Sequence, residues 1–151
     1  MLDEKRIKGH HLVPYLRNQD VQWGRINTIG LPEMDIVPEE MDRYSVSQGD
    51  LLVCEGGEVG RAAVWRGPDG VFGYQKALHR LRPVSSDSDI AEFMYYSLIA
   101  ASVCGTFQEG DTKSTISHLP AEKFRTYRFP YPRLWPFPGL GGSAARRRER
   151  R

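Results

Sequence analysis

Apolar positions along the chain group into several short extended runs, one helical stripe and a polar, proline-rich end. Residues 50–54 (DLLVC) form an apolar run between Gln48-Gly49 and Gly56-Gly57, which predicts a strand bounded by turns. Residues 61–65 (RAAVW) predict a second strand. Gly67-Pro68-Asp69-Gly70 follows as a turn, because proline presets φ and glycine accepts the left-handed conformation. Residues 71–74 are then placed to pair back as a hairpin. Residues 77–82 alternate Ala77, His79 and Leu81 against Leu78, Arg80 and Arg82, the pattern of a half-solvated strand that ends at Pro83. Residues 13–18 and 20–25 read as extended, and residues 30–40, with Pro32 and Pro38, as irregular.

Helical spacing is clearest at Ile90, Phe93, Met94, Ser97, Leu98 and Ala101, predicting a helix over residues 90–103. Asp89 is positioned as N-cap with Glu92 completing a capping box, and Gly105 as the stop. Phe93, Tyr95 and Tyr96 read as packing groups. A short helix is expected from Pro120 through Lys123-Phe124. The fold class is therefore α+β: a twisted, mainly antiparallel sheet or partial barrel with one clear helix and short helical turns.

Composition narrows the class. With 151 residues, 40% hydrophobic and 26% charged, the chain can bury a core, and it is neither a disordered chain, a coiled coil nor a fibre. No apolar run approaches the roughly 18 residues of a spanning helix. The polar start MLDEKRIKGHH is not a secretory signal. Two cysteines, Cys54 and Cys104, are too few for a disulfide scaffold or a zinc ribbon. A soluble protein of the cytoplasm is expected.

Charge is unevenly spread. Residues 133–151 carry six Arg and one Glu, whereas residues 1–132 hold 15 Lys/Arg against 18 Asp/Glu. With Pro136, Pro138 and three glycines interrupting any pattern, residues 133–151 are expected to be a disordered tail, leaving residues 1–132 as a single domain. Nucleic-acid binding by this domain would require basic groups gathered on one face, because its net charge is negative.

Most catalytic patterns are missing. Glu55-Gly-Gly-Glu-Val-Gly60 is not followed by the Lys-Ser/Thr of a phosphate loop, nor by the helix of a dinucleotide fold, and it reads as a tight connection between strands. Cys54 ends an apolar strand, where a buried inert thiol is the ordinary outcome. His10 and His11 are adjacent and cannot share a helical face for a metal, so no metal or cofactor is expected. Glu55 and Glu58 flank a glycine turn with no spacing that marks an acid–base pair. Nucleic-acid contact fits better. Arg17 and Asn18, beside Tyr15, carry groups suited to guanine and adenine edges. Lys113, Ser114 and Thr115, after a Gly-Asp-Thr turn, offer ammonium, hydroxyl and N–H donors to phosphate. Gln75 and Lys76 stand at a strand entry.

Read together, YLRNQDVQWG (15–24), GDLLVCEGGEVGR (49–61), QKALHRLR (75–82), STISHL (114–119) and FPYP (129–132) resemble a target recognition domain of the specificity (S) subunits of type I restriction–modification systems. The resemblance spans residues 13–132, and the 49–61 block is its most distinctive part. It implies that the chain recognises one half of a split sequence in double-stranded DNA and performs no bond chemistry. It further implies methyltransferase (modification) and restriction subunits as partners, which methylate adenine from S-adenosylmethionine and cleave DNA with ATP. The candidate DNA-contacting residues are Lys113, Ser114 and Thr115, with Arg17, Asn18, Gln75 and Lys76. The chain departs from the family by having one recognition domain, no leader segment before Tyr15, and an Arg-Leu-Trp-Pro-Phe-Pro stretch after Pro132 in place of a helical spacer. A truncated or frame-shifted S subunit is expected, with weakened docking to its partners. The alternative is a fragment that keeps the fold and serves only as a protein-interaction or dimerisation module.

Overall fold

A computed structural model describes residues 9–84, 88–107 and 118–130. The fold is α+β, with eight short strands and three helices among these residues and no closed barrel. The central element is β5 (Leu51–Cys54), flanked antiparallel by β6 (Ala62–Val64) and β8 (Leu78–Leu81). In register, Leu52 lies opposite Ala63 on one side and Arg80 on the other. All four residues of β5 are buried because both sheet faces are covered. Leu51 and Val53 face α2 (Ser88–Val103) and α3 (Ala121–Thr126), packing with Leu98, Ala101 and Phe124. Leu52 and Cys54 point to the other layer, with Leu16, Val21 and Val46. A continuous apolar run, instead of an alternating one, is what two covered faces require.

That second layer is built by β1 (Leu12–Leu16), β2 (Val21–Gln22), β3 (Arg25–Ile26), β4 (Glu33–Asp35) and β7 (Gly73–Tyr74). β2 and β3 form a hairpin, and β1 lies between antiparallel β4 and parallel β7. Two expectations are corrected here. Residues 71–74 do not pair back on β6. The Gly67–Gly70 turn folds under Trp65, whose indole N–H donates to the Pro68 carbonyl at 3.1 Å. Phe72 packs edge-on against Trp65 at 5.2 Å, and backbone bonds from Gly70 to Val46 and from Val46 to Phe72 carry the segment to β1. Residues 30–40, read as irregular, contain β4 and a 3₁₀ turn at Pro38–Glu40 that leads into α1 (Met41–Tyr44).

α2 begins at Ser88, so Asp89 lies within its first turn instead of capping it, and its charge there still opposes the helix dipole favourably. Glu92 pairs with Arg66 instead of closing a capping box. The C-terminus matches expectation: left-handed Gly105 donates to Ser102, and Thr106 donates back to Ala101, the paired bonds of a Schellman stop. Tyr95 packs near Trp23, with ring centroids 6.3 Å apart, whereas Tyr96 is 63% exposed and touches the core only through its ring contact with Tyr95 at 5.1 Å. α3 starts after Pro120, which is its N-cap and not its first residue. The expected tail, residues 133–151, lies outside the described residues.

Candidate nucleic-acid interface

β5 ends at Cys54, and because the sheet is antiparallel, β6 starts and β8 starts at that same edge. Four connections remote in sequence therefore meet there. The turn carrying Glu55 through Arg61 joins β5 to β6. Glu55 donates its N–H to the Ala77 carbonyl at 3.0 Å, drawing in the segment before β8. The Leu119 N–H donates to the Glu55 carbonyl at 2.6 Å, and Gly56 forms an antiparallel bridge with His118. Gly56 sits so close to the His118 ring that a Cβ there would lie 3.2 Å from Nδ1.

Asn18 joins the same junction from the first layer. Its Nδ2 donates to the carbonyls of Gly56 and Ala77, each at 3.3 Å. Its Oδ1 and its own backbone carbonyl accept from Arg61 Nη2 at 2.9 and 3.1 Å. Arg61 Nε is buried without a partner among the described residues. Arg17, one residue earlier, is held in a fork by Asp20: Nε and Nη2 donate to its two carboxylate oxygens at 2.8 and 2.9 Å, and the Arg17 backbone N–H adds a third bond. Burial works to raise the pKa of Asp20, but the hydrogen bonds and charge of Arg17 outweigh it and hold the carboxyl below its ordinary value. The hydrogen bonds that Arg17 donates to Asp20 in turn raise the pKa of the guanidinium.

Gln75 is half-buried, its backbone N–H bonded to Leu16 and its carbonyl to Leu78, which fixes the entry into β8. Lys76 beside it is exposed. Arg17, Asn18, Gln75 and Lys76 thus come from two segments that the Asn18 bonds bring to one sheet edge. Lys113, Ser114 and Thr115 lie outside the described residues. The described residues on either side of that stretch both touch the glycine turn: Phe107 packs against Gly60, and His118 bridges Gly56. On the far side of the turn, exposed Glu58 accepts from the Trp23 indole N–H at 2.6 Å.

The Cys54 thiol is fully buried, and desolvation is the main cause raising its pKa, against the lowering effect of Arg61. It donates weakly to the Asn18 carbonyl at 3.5 Å. Strand register sets His79 opposite Val53, on the other sheet face, where its Nε2 meets the Leu119 carbonyl at 2.7 Å. The cysteine and this histidine are therefore not a nucleophile–base pair. Among the described residues no group of three or more His, Cys, Asp or Glu is placed to hold a metal ion, and no helix is long and apolar enough to cross a membrane.

Sequence reasoning missed the role of Arg61. The only signal was its position directly after a glycine turn, at a strand entry, where a long side chain can reach back over the turn. A scan of the chain against protein-family models finds no match, and a search among curated proteins finds none either.

Proposed function

We propose that the chain is a DNA target recognition domain of the type I specificity-subunit kind. It reads one half-site of a split duplex sequence in the cytoplasm and directs partner modification and restriction subunits there, leaving bond chemistry to them. The observation that supports this most is convergence. The resembling blocks are scattered, with Asn18 lying 38 residues from Gly56 and 59 from Ala77, yet these residues meet at one edge of the central sheet. A single binding surface assembled from dispersed blocks requires such a meeting point, and a doubly covered sheet gives it a rigid base. Phosphate contacts in this reading fall first to Lys113, Ser114 and Thr115, with Arg17, Gln75 and Lys76 as secondary candidates.

Selection from a random duplex library, in the presence of modification subunits, tests the reading, and an enriched half-site is expected. On that half-site Lys113→Ala weakens binding about equally for related sequences and lowers the salt slope by about one unit. Absence of any enriched sequence overturns the reading. If light scattering then still shows a complex with the modification subunits, an interaction module replaces it.

A further inference from the structure

We infer that Asn18 is a positioning residue of this surface and not a base-reading one: it pins the Gly56 turn and the Ala77 segment to the first layer of the fold. The inference rests on the proposed DNA-binding reading and assigns a different task to one of its residues.

An asparagine that reads adenine needs a free amide hydrogen for N7 and a free carbonyl oxygen for the N6 amino group. Both Nδ2 hydrogens of Asn18 are directed at backbone carbonyls, one at Gly56 and one at Ala77. Its Oδ1 is taken by Arg61, whose same nitrogen also grips the Asn18 backbone carbonyl. No donor of the amide is left over for a base.

The Asn18 bonds reach the β5–β6 turn and the β8 entry together, beside the Gln75 N–H bond to the Leu16 carbonyl that also joins the β8 entry to this layer. The Ala77 carbonyl accepts from both Glu55 N–H and Asn18 Nδ2, so the β5 exit, the β8 entry and the turn after β1 share one acceptor. Arg61 closes the ring from the start of β6. A side chain in this position fixes where the surrounding loops present their own groups and has no donor of its own left to present.

Amide hydrogen exchange and duplex binding, measured on Asn18→Ala and Asn18→Asp, test this. Aspartate still accepts from Arg61 but cannot donate to Gly56 or Ala77, and it serves if the alanine variant does not fold, its added charge being separated from the loss of the bonds by comparison with alanine. In the free protein, exchange at the Glu55 and Leu119 amides is expected to rise about thirtyfold, the size expected for two lost hydrogen bonds. Affinity for the selected duplex is expected to fall by a similar factor at every substituted base pair alike. Unchanged exchange at Glu55 and Leu119 overturns the inference. So does a loss of discrimination confined to one base pair, which marks a reading group. If the unaltered chain selects no duplex, the proposed function fails, while the exchange result still decides whether Asn18 pins the loops.

Discussion

Gly57 and Gly60 lie in the same turn and have almost the same left-handed backbone, with φ of +80° and +81°. Their surroundings differ. A Cβ on Gly57 would meet nothing within 4 Å, whereas a Cβ on Gly60 would lie 2.8 Å from Phe107 Cε2 and 3.1 Å from Cδ2. Phe107 cannot swing aside freely, because it is 8% exposed and packs against Tyr127 at 5.2 Å. Alanine at either site carries the left-handed penalty of about 1–2 kcal/mol. At Gly60 the overlap with a packed ring adds about 1–3 kcal/mol. Gly57→Ala should therefore lower stability by about 1–2 kcal/mol and Gly60→Ala by about 2–5 kcal/mol. Urea unfolding followed by tryptophan fluorescence measures the difference, in which the shared backbone penalty cancels. In a Phe107→Ala background the extra cost of Gly60→Ala should vanish. Equal losses for the two glycine variants, or an unchanged gap in that background, would refute the claim that Phe107 is seated on the turn.

Asp20 supplies a pH test. Its folded-state pKa lies below the unfolded one, so its contribution is complete above the unfolded carboxyl value and is lost as pH falls through the folded one. Acid titration should show Asp20→Asn less stable at neutral pH, with the gap to the natural chain closing below about pH 4; a pH-independent gap contradicts the assignment. The Asp50–Arg82 pair should be asymmetric, since Asp50 is 1% and Arg82 42% exposed. Arg82→Ala leaves the buried carboxylate without its counter-charge, with the Ser47 N–H bond remaining, and should cost about 3–5 kcal/mol, while Asp50→Ala loses that bond but leaves a cation that water can solvate and should cost about 1–3 kcal/mol in denaturant titrations. The reverse order refutes this. Finally, a thiol reagent should modify exposed Cys104 in the native protein and buried Cys54 only on unfolding; rapid native labelling of both counts against the burial of Cys54.

Much of the central sheet and the long helix could be read from residues alone, because their signals are local. The run at Leu51–Cys54 is short, apolar and bounded by glycine turns, which marks a strand, and Gly105 stops α2 by backbone geometry that needs no distant partner. The first layer was harder. β4 and β7 are three and two residues long, and strands of that length carry no measurable alternation. β7 reaches β1 behind the packing of Phe72 on Trp65, and β4 is held on β1 by backbone bonds from Tyr15 to Pro32 and from Ile36 to His11. Side-chain bonding was equally hidden. Arg17 and Asn18 look in sequence like an exposed polar pair, yet one is forked onto a buried Asp20 and the other is engaged on three sides.

The sequence by itself determined the class of fold, the apolar centre, the glycine connections and which polar segments were candidates for contact, since each depends on neighbours along the chain. The tertiary structure alone decided that Asn18, Gly56, Ala77 and His118 share one edge, and that the amide of Asn18 is consumed there. Strand register and antiparallel order bring those residues together across dozens of positions, and no local pattern encodes a distance of that kind.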